Sequence, residues 1–581
     1  MASGRLRVLV VARIIPRSRF SEPLQDPLLA PLRRADGYSE CPFFGEDRKS
    51  LAHRQDDAND PKPTKEVARC PVAGSGLCPF GVPGFAPIMT SAVQQQNLKD
   101  ERMATGSRDG EPQTGQDLGS ADAPTVRSPA ALIEYEMYSD LMSTPEMRSV
   151  FSETSTLRAW LKTWAAMAEA QAEHGLIPKE AAVRIVEVSG SLTLSGAELA
   201  AETRSVGRAT VPVLQRLRAA VGKDFANHVH VGSTTQDIMD TGLALQMKQG
   251  LDLLDRDTTV LMQKLIELAR SHKSTVMAGR TNGLQAAPIT FGLKAAGWLS
   301  EITRGRDRLK LARSRALMVQ LGGPVGTFDV IGSKGIAVRA SMARILGLGT
   351  QPVGWYTSRD GIAEMLFAIG LPASALGHMA VETGLLVRTE IDEVREGGDD
   401  AGRGRSSAMP QKSNPRSTEY VEGLSRAIQS KAAGLYAILW QSNERSGGVW
   451  IAEWPLVPEH FLLASSALRH ANELIGGLVV NKGKMLANLN LDGGAVLSEA
   501  FAEALAPLLG RTQAYDFIKA SVQRARTQNR SVASVISEAT EITGQLSGVD
   551  LDRLLDPGQH VGLSAELVDL ACTEAEVSLR S

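Results

Sequence analysis

The sequence predicts an all-α protein in which long helices pack into a bundle and are joined by short polar loops. Three observations predict it. From about residue 130 apolar side chains recur at helical spacing, several periodic stretches outrun an ordinary helix, and alternating polar and β-branched runs are scarce. The first is clearest at Leu157, Trp160, Leu161, Trp164, Met167 and Ala168, which follow i, i+3, i+4, i+7, i+10 and i+11 until Gly175 and Pro178 end the pattern. The second rests on stretches near 236–276, 290–320, 361–392 and 417–442, each well beyond the typical helix of about 11–12 residues. The third leaves little material for a sheet, and long helices with short connections imply a bundle.

Composition bounds the rest. A chain of 581 residues, 43% hydrophobic, exceeds the usual single core, so about two to four domains are expected. The expected boundaries are a disordered extension over 1–128, a helical domain over 129–238, a bundle domain over 239–481 and a C-terminal helical domain over 482–581. The extension is rich in Pro, Gly, Ser, Asp and Gln and lacks sustained periodicity. Its basic start (Arg5, Arg7, Arg13, Arg17, Arg19) leaves a mitochondrial transit peptide open. A disordered extension, or a wrong start with Met89 as the alternative, is the preferred reading. A net charge of -2 gives no footprint for nucleic acid or an anionic membrane. No stretch approaches the roughly 18 uninterrupted apolar residues that span a bilayer. Cys41, Cys70, Cys78 and Cys572 form no CxxC pair, so incidental reduced thiols and a cytoplasmic location are expected.

Five polar segments interrupt the helical texture: His230–Gln236, Gly279–Pro288, Gly322–Thr327, Trp355–Asp360 and Glu396–Pro415. Such segments between rigid helices are where chemistry concentrates. The last is glycine-rich over 396–407, which suits a mobile lid or a plain solvated loop. It leads into Ser406, Ser407, Lys412, Asn414 and Pro415, the last suited to a first helical turn. A helix start, a lysine and an amide together would hold a carboxylate whose α-carbon becomes a carbanion, with a serine exchanging the proton. On spacing alone a capped loop-to-helix junction fits equally well. Thr234, Thr235 and Gln236 offer a second anion-binding helix start, or an ordinary N-cap. Thr281 and Asn282 supply further polar groups. Arg359 offers a bidentate carboxylate clamp, or a surface ion pair with Asp360. No metal cluster and no nucleotide loop appear, so a small polyanionic substrate and cofactor-free chemistry are expected.

The run Ser406-Ser-Ala-Met-Pro-Gln-Lys-Ser-Asn-Pro415 closely resembles the fumarase/aspartase superfamily pattern G-S-S-x-M-P-x-K-x-N-P. Thr234–Asp237 and Gly279–Gly292 resemble that superfamily's other two active-site regions, in the same order. Asn443-Glu-Arg-Ser-Gly-Gly-Val-Trp-Ile-Ala-Glu-Trp454 and Gly322–Thr327 are similar to the carboxymuconate cycloisomerase and adenylosuccinate lyase branch. The resemblance covers about 130–581. It implies three helical domains and a homotetramer whose twenty-helix core pools four bundles, with each active site shared between chains. It also implies Ser406 as the catalytic serine and Lys412 and Asn414 as carboxylate ligands. Thr234, Thr235, Gln236 and Thr281 become substrate contacts, with His230 beside them, and Glu419 matches a glutamate that pairs with a histidine in some members.

Departures narrow the reaction. Many superfamily lyases carry a histidine where this chain has Asn282, and an amide is no acid near neutral pH. Tyr356 and Asn443 also replace histidines of the pattern, and Arg405 replaces its second glycine, adding a cation at the lid. Elimination must protonate a leaving group, whereas decarboxylation releases neutral CO2 and leaves one carbanion to protonate. The expected reaction is therefore loss of CO2 from an unsaturated polycarboxylate, with trans-aconitate giving itaconate as the leading case. A fungal enzyme of that activity belongs to the same branch. Carboxymuconate cycloisomerisation, C–N cleavage of a succinyl compound and an inactive binding relative are the alternatives.

Overall fold

A computed structural model describes residues 131–397, 404–540, 544 and 548–581. The expectations for 1–128, including the basic start and Cys41, Cys70 and Cys78, lie outside the described residues, as does the 398–403 part of the lid.

Helix α1 (Glu153–Glu173) starts where the Ser152 hydroxyl accepts the Ser155 N–H at 3.2 Å. It buries the face its spacing predicts, Leu157, Trp160, Leu161, Trp164, Met167 and Ala168. Helices α2 (Lys179–Ser191), α3 (Gly196–Val206) and α4 (Thr210–Val221) follow, and Ile185, Leu199, Val213 and Leu217 complete an apolar cluster with α1.

The bundle consists of α5 (Thr235–Ser271), α6 (Phe291–Ala316), α8 (Asp360–Leu386), α9 (Arg416–Ser430) and α10 (Gly447–Gly476), with α7 (Gly335–Leu346) lying between α6 and α8 in the chain. Packing runs α5 on α6, α6 on α8, α8 on α9, α9 on α10, and α10 back on α5. At 37 residues, α5 belongs to both cores. Its Ile238 and Leu245 lie in the α1 cluster, while Met247, Leu251, Leu254, Leu261 and Leu265 lie in the bundle. Burying each such side chain stabilises the fold by about 1.5–3 kcal/mol. Helix α7 falls within the expected bundle stretch, yet Val338 and Met342 pack into the α1 cluster.

Two helices carry prolines in their interiors. Pro372 in α8 lies against α6 at Gly305, where a Cβ would come within 2.9 Å of the proline ring. Helix α10 continues through Pro455 and Pro458 because Val457, Phe461 and Ala464 are buried on the bundle. Helix α8 is long and apolar enough to cross a membrane by length and composition. Met365, Leu366, Met379 and Ala380 are buried in the bundle, whereas Leu371, Val381 and Leu385 are exposed.

The segment Gly279–Pro288, expected as a loop, is an antiparallel hairpin of β1 (Val276–Thr281) and β2 (Leu284–Thr290). Its two-residue turn is Asn282-Gly283, with φ of 52° and 81°. Positive φ at both centres is what a type I′ turn demands, and Asn-Gly is the sequence that adopts it most readily. A second short pair joins β3 (Val394–Glu396) to β4 (Leu478–Val480). Beyond β4, α11 (Ser498–Leu509) and α12 (Arg511–Gln528) build a third cluster with Ala278 of β1. The last helix, α13 (Ser564–Arg580), lies within the expected C-terminal domain but packs on α6 and α5, burying Val568 and Cys572 in the bundle core.

Candidate active site

The start of α5 is built around buried Asp237. Its carboxylate accepts the Thr234 N–H at 2.9 Å, closing the first turn from within, and the Gly323 N–H at 3.2 Å. The same carboxylate takes the Tyr356 hydroxyl at 2.5 Å. Burial pushes the Asp237 carboxyl up to about 7, against the pull of these donors. Burial beside Asp237 also raises the Tyr356 phenol. Gln236, expected to face substrate, is buried, and its amide donates to Asp240 at 3.1 Å and to the Tyr356 carbonyl at 3.0 Å. The fold thus holds the Gln236 amide inward. Thr234 and Thr235 remain half-buried, and Arg445 donates to the Thr234 hydroxyl.

His230 stands beside them at φ 71°. The Trp164 indole N–H donates to its Nδ1 at 3.0 Å, and the Ser233 hydroxyl lies 2.7 Å from the same nitrogen. An indole can only donate, so Nδ1 is unprotonated and the ring hydrogen sits on Nε2. Burial, with a smaller push from Arg218, lowers the imidazole to about 4. His230 is therefore a neutral donor near pH 7.

A pH dependence follows. His230 titrates at 6.5 when unfolded and about 4 when folded, so its contribution is complete above 6.5 and is lost as pH falls toward 4. Asp237 has the opposite sign: its folded value of about 7 exceeds 3.8, so stability is lost as pH rises between them. The stability gap between wild type and His230→Gln is expected to widen as pH rises from 4 to 6.5 and then level off. Urea midpoints across that range check this, and a gap independent of pH contradicts it.

The second region sits at the β-hairpin tip. Thr281 and Asn282 are exposed there, Asn282 as a turn residue. The hairpin is fixed by Arg280, which donates to buried Glu393 at 2.6 and 2.9 Å, and Glu393 also accepts the Asn488 amide at 2.9 Å.

The third region is the lid. An isolated bridge pairs Arg405 with Ser413, and Asn414 donates twice to the Gly404 carbonyl, from its backbone at 2.7 Å and its side chain at 3.0 Å. Gly404 holds φ 78° and has no room for a Cβ, which would meet the Asn414 carbonyl at 2.4 Å. Asn414, expected as a carboxylate ligand, thus closes the base of the loop in this structure. The backbone N–H groups of Ala408 and Met409 converge on the Ser406 Oγ at 3.3 and 3.0 Å. Two N–H donors favour a negative oxygen there. Arg405 and Lys412 are exposed, and neither side chain has a carboxylate partner among the described residues. The helix start after Pro415 was expected to receive a substrate anion. It instead holds Glu396, whose carboxylate accepts the N–H groups of Ser417 and Thr418 at 3.0 and 2.8 Å. Glu419 is exposed and pairs with Arg416.

Arg359 departs furthest from expectation. It does not pair with Asp360, and its guanidinium, expected as a carboxylate clamp, is engaged within the chain. Its side chain is fully buried, with Asp240 at 2.9 and 3.1 Å and Glu453 at 2.8 Å on its nitrogens, and it stacks 4.6 Å from the Trp355 ring. Burial alone would lower the guanidinium, but the two carboxylates outweigh it and raise it. A guanidinium taken from water needs such partners, and with the Trp355 carbonyl accepting at 3.2 Å all five of its N–H donors are used. Asp240, Glu453 and Asp237 were missed as site-building residues. The available signal was Asp237 and Asp240 three residues apart, on one face of the helix start and separated by Ile238 and Met239.

Among the described residues no hydrogen bond joins the α5 start, the hairpin tip and the lid.

The chain belongs to the fumarase/aspartase superfamily of lyases. The profile of a family described as "Lyase" matches residues 141–430, and one described as "Adenylosuccinate lyase C-terminus" matches 494–571. The chain is 37% identical over 436 residues to 3-carboxy-cis,cis-muconate cycloisomerase of Pseudomonas aeruginosa, covering 74% of this chain and 95% of that one. It is 33% identical over 431 residues to trans-aconitate decarboxylase 1 of Mycosarcoma maydis, covering 74% and 87%. The crystal structure of 3-carboxy-cis,cis-muconate lactonizing enzyme from Pseudomonas putida matches with a TM-score of 0.72 at 34% identity, covering 76% of this chain and all of that one. The protein is thus a mostly helical enzyme of the lyase class.

Proposed function

We propose that this lyase decarboxylates trans-aconitate to itaconate without a cofactor. The observation that carries the reading is Asn282 at the hairpin tip, a neutral amide where an acid would serve a leaving group, together with a retained Ser406 and Lys412. Cleavage of the bond between the methylene carbon and its carboxylate releases CO2. Its electron pair forms the new terminal double bond, and the former double-bond pair moves to the carbon beside the remaining end carboxylate. That carbanion, delocalised as an aci-carboxylate, takes one proton and becomes itaconate. Ser406, or a water it orients, delivers the proton, and the N–H groups of Ala408 and Met409 stabilise the oxygen left behind. Lys412, Arg405, Thr281 and the Thr234–Thr235 pair hold carboxylates, with His230 as a neutral donor.

A homotetramer that brings the three regions together from different chains completes the reading. Supporting it are the exposed Leu371, Val381 and Leu385 on α8 and Trp440, 87% exposed. Light scattering tests it, and a fully active monomer contradicts it.

The catalytic test supplies purified protein with trans-aconitate, 3-carboxymuconate and adenylosuccinate. Release of CO2 from trans-aconitate alone is expected. Lactone formation from carboxymuconate without CO2, or fumarate from adenylosuccinate, overturns the proposal in favour of those reactions.

A further inference from the structure

A cavity of about 300 Å³ lies between α1, the α3–α4 connection, α5 and α10. Its walls include Trp160, Met239, Trp450 and Trp454, with Asp240 and Arg208 as its charged members. Arg208 belongs to none of the three regions described above. Its guanidinium lies over two indoles at once, 5.6 Å from the Trp450 ring centre and 5.4 Å from that of Trp454. Aromatic faces hold a cation in place but leave its N–H edge unsatisfied. That edge makes one hydrogen bond, to the Gly207 carbonyl at 2.8 Å, and no carboxylate among the described residues pairs with it.

Asp240 does not claim it. Both Asp240 oxygens are saturated: Gln236 and one Arg359 nitrogen donate to Oδ2, and a second Arg359 nitrogen and the Trp450 indole donate to Oδ1 at 3.1 and 3.0 Å. Arg208 also lies against the start of α10. A Cβ on Gly447, the first residue of α10, would stand 3.5 Å from its Nη2. Two residues earlier, Arg445 donates to Thr234. Arg208 on the cavity and Arg445 on the α5 start therefore flank the start of α10, and neither has a carboxylate partner among the described residues.

We infer that Arg208 is a specificity-determining residue that receives a carboxylate of the substrate, with the rest of that arm lying on the Trp450 and Trp454 faces. This rests on the reading of the site as one for polycarboxylates. It selects anions with a carboxylate beyond the two that the lid and α5 hold, that is, tricarboxylates over dicarboxylates.

Tryptophan fluorescence tests this apart from turnover. Wild type, Arg208→Gln and Arg208→Lys are titrated with trans-aconitate, 3-carboxymuconate and fumarate. Wild type is expected to show saturable quenching by a tricarboxylate. Arg208→Gln weakens that binding and raises its KM by about tenfold to a hundredfold, the loss expected for a charge-assisted hydrogen bond, and leaves fumarate unchanged. Arg208→Lys recovers part of it, since a point charge replaces the fork. Quenching by tricarboxylates that depends on Arg208 without CO2 release supports this inference while the decarboxylase reading fails. Unchanged tricarboxylate binding in Arg208→Gln overturns it, as does a lowered unfolding midpoint with intact binding, which assigns Arg208 to balancing the buried Asp240–Glu453 charge. Absence of quenching of wild type by all three ligands also overturns it.

Discussion

Ser406→Ala is expected to lower turnover by about 10²–10⁴-fold, the usual contribution of a positioned proton donor, while fold and assembly stay intact. The serine sits on a loop, half-buried, and its side chain is absent from all three apolar clusters. Its hydroxyl accepts the N–H groups of Ala408 and Met409, and removing it leaves those donors to water on an exposed loop. Circular dichroism and size exclusion should therefore match wild type while CO2 release collapses. Unchanged turnover would remove Ser406 from the mechanism. The same variant probes the shared site. Mixed and re-equilibrated with a Thr234→Val, Thr235→Val double variant, it is expected to recover a fraction of wild-type activity, because some sites then draw intact regions from both chains. A mixture as inactive as its components contradicts sharing.

Arg359→Met is the substitution expected to damage the fold most. It leaves Asp240 and Glu453, each about 1% exposed or less, facing one another without their cation. Removing one partner of a buried ion network costs about 3–5 kcal/mol. That is a large share of the roughly 5–15 kcal/mol that holds a typical domain. The penalty is one of stranded charge, so Asp240→Asn and Glu453→Gln on the Arg359→Met background should recover most of it. Urea unfolding reads both. A single variant within about 1 kcal/mol of wild type, or a triple variant no better than the single, contradicts this account of the network.

The helical class was legible because burial follows sequence spacing within one element. Leu157 to Ala168 declared the face that α1 buries, and the stretches near 236–276, 290–320 and 361–392 became α5, α6 and α8, whereas that near 417–442 ends as α9 at Ser430. The lid was legible because its chemistry is contiguous in the chain. Gly279–Pro288 reads as a loop, since one short pair offers little alternation, although Asn282-Gly283 is a sufficient turn signal for the hairpin. Helix α10 was hidden by Pro455 and Pro458, whose helical state depends on packing supplied by α5 and α9. Arg359 could not be read locally at all. Its partners lie 119 residues before it and 94 after it, and nothing in the run Tyr356–Asp360 indicates that it turns inward. Glu396 was missed for the same reason: the anion at the α9 start comes from 21 residues upstream.

The most direct test of the central claim is the fate of trans-aconitate in D2O, followed by nuclear magnetic resonance. The account predicts one CO2 per molecule consumed and itaconate carrying a single deuterium on its saturated methylene carbon, the carbon that bore the carbanion. Recovery of the full carbon skeleton, or itaconate without deuterium at that carbon, would contradict protonation of an aci-carboxylate formed by decarboxylation.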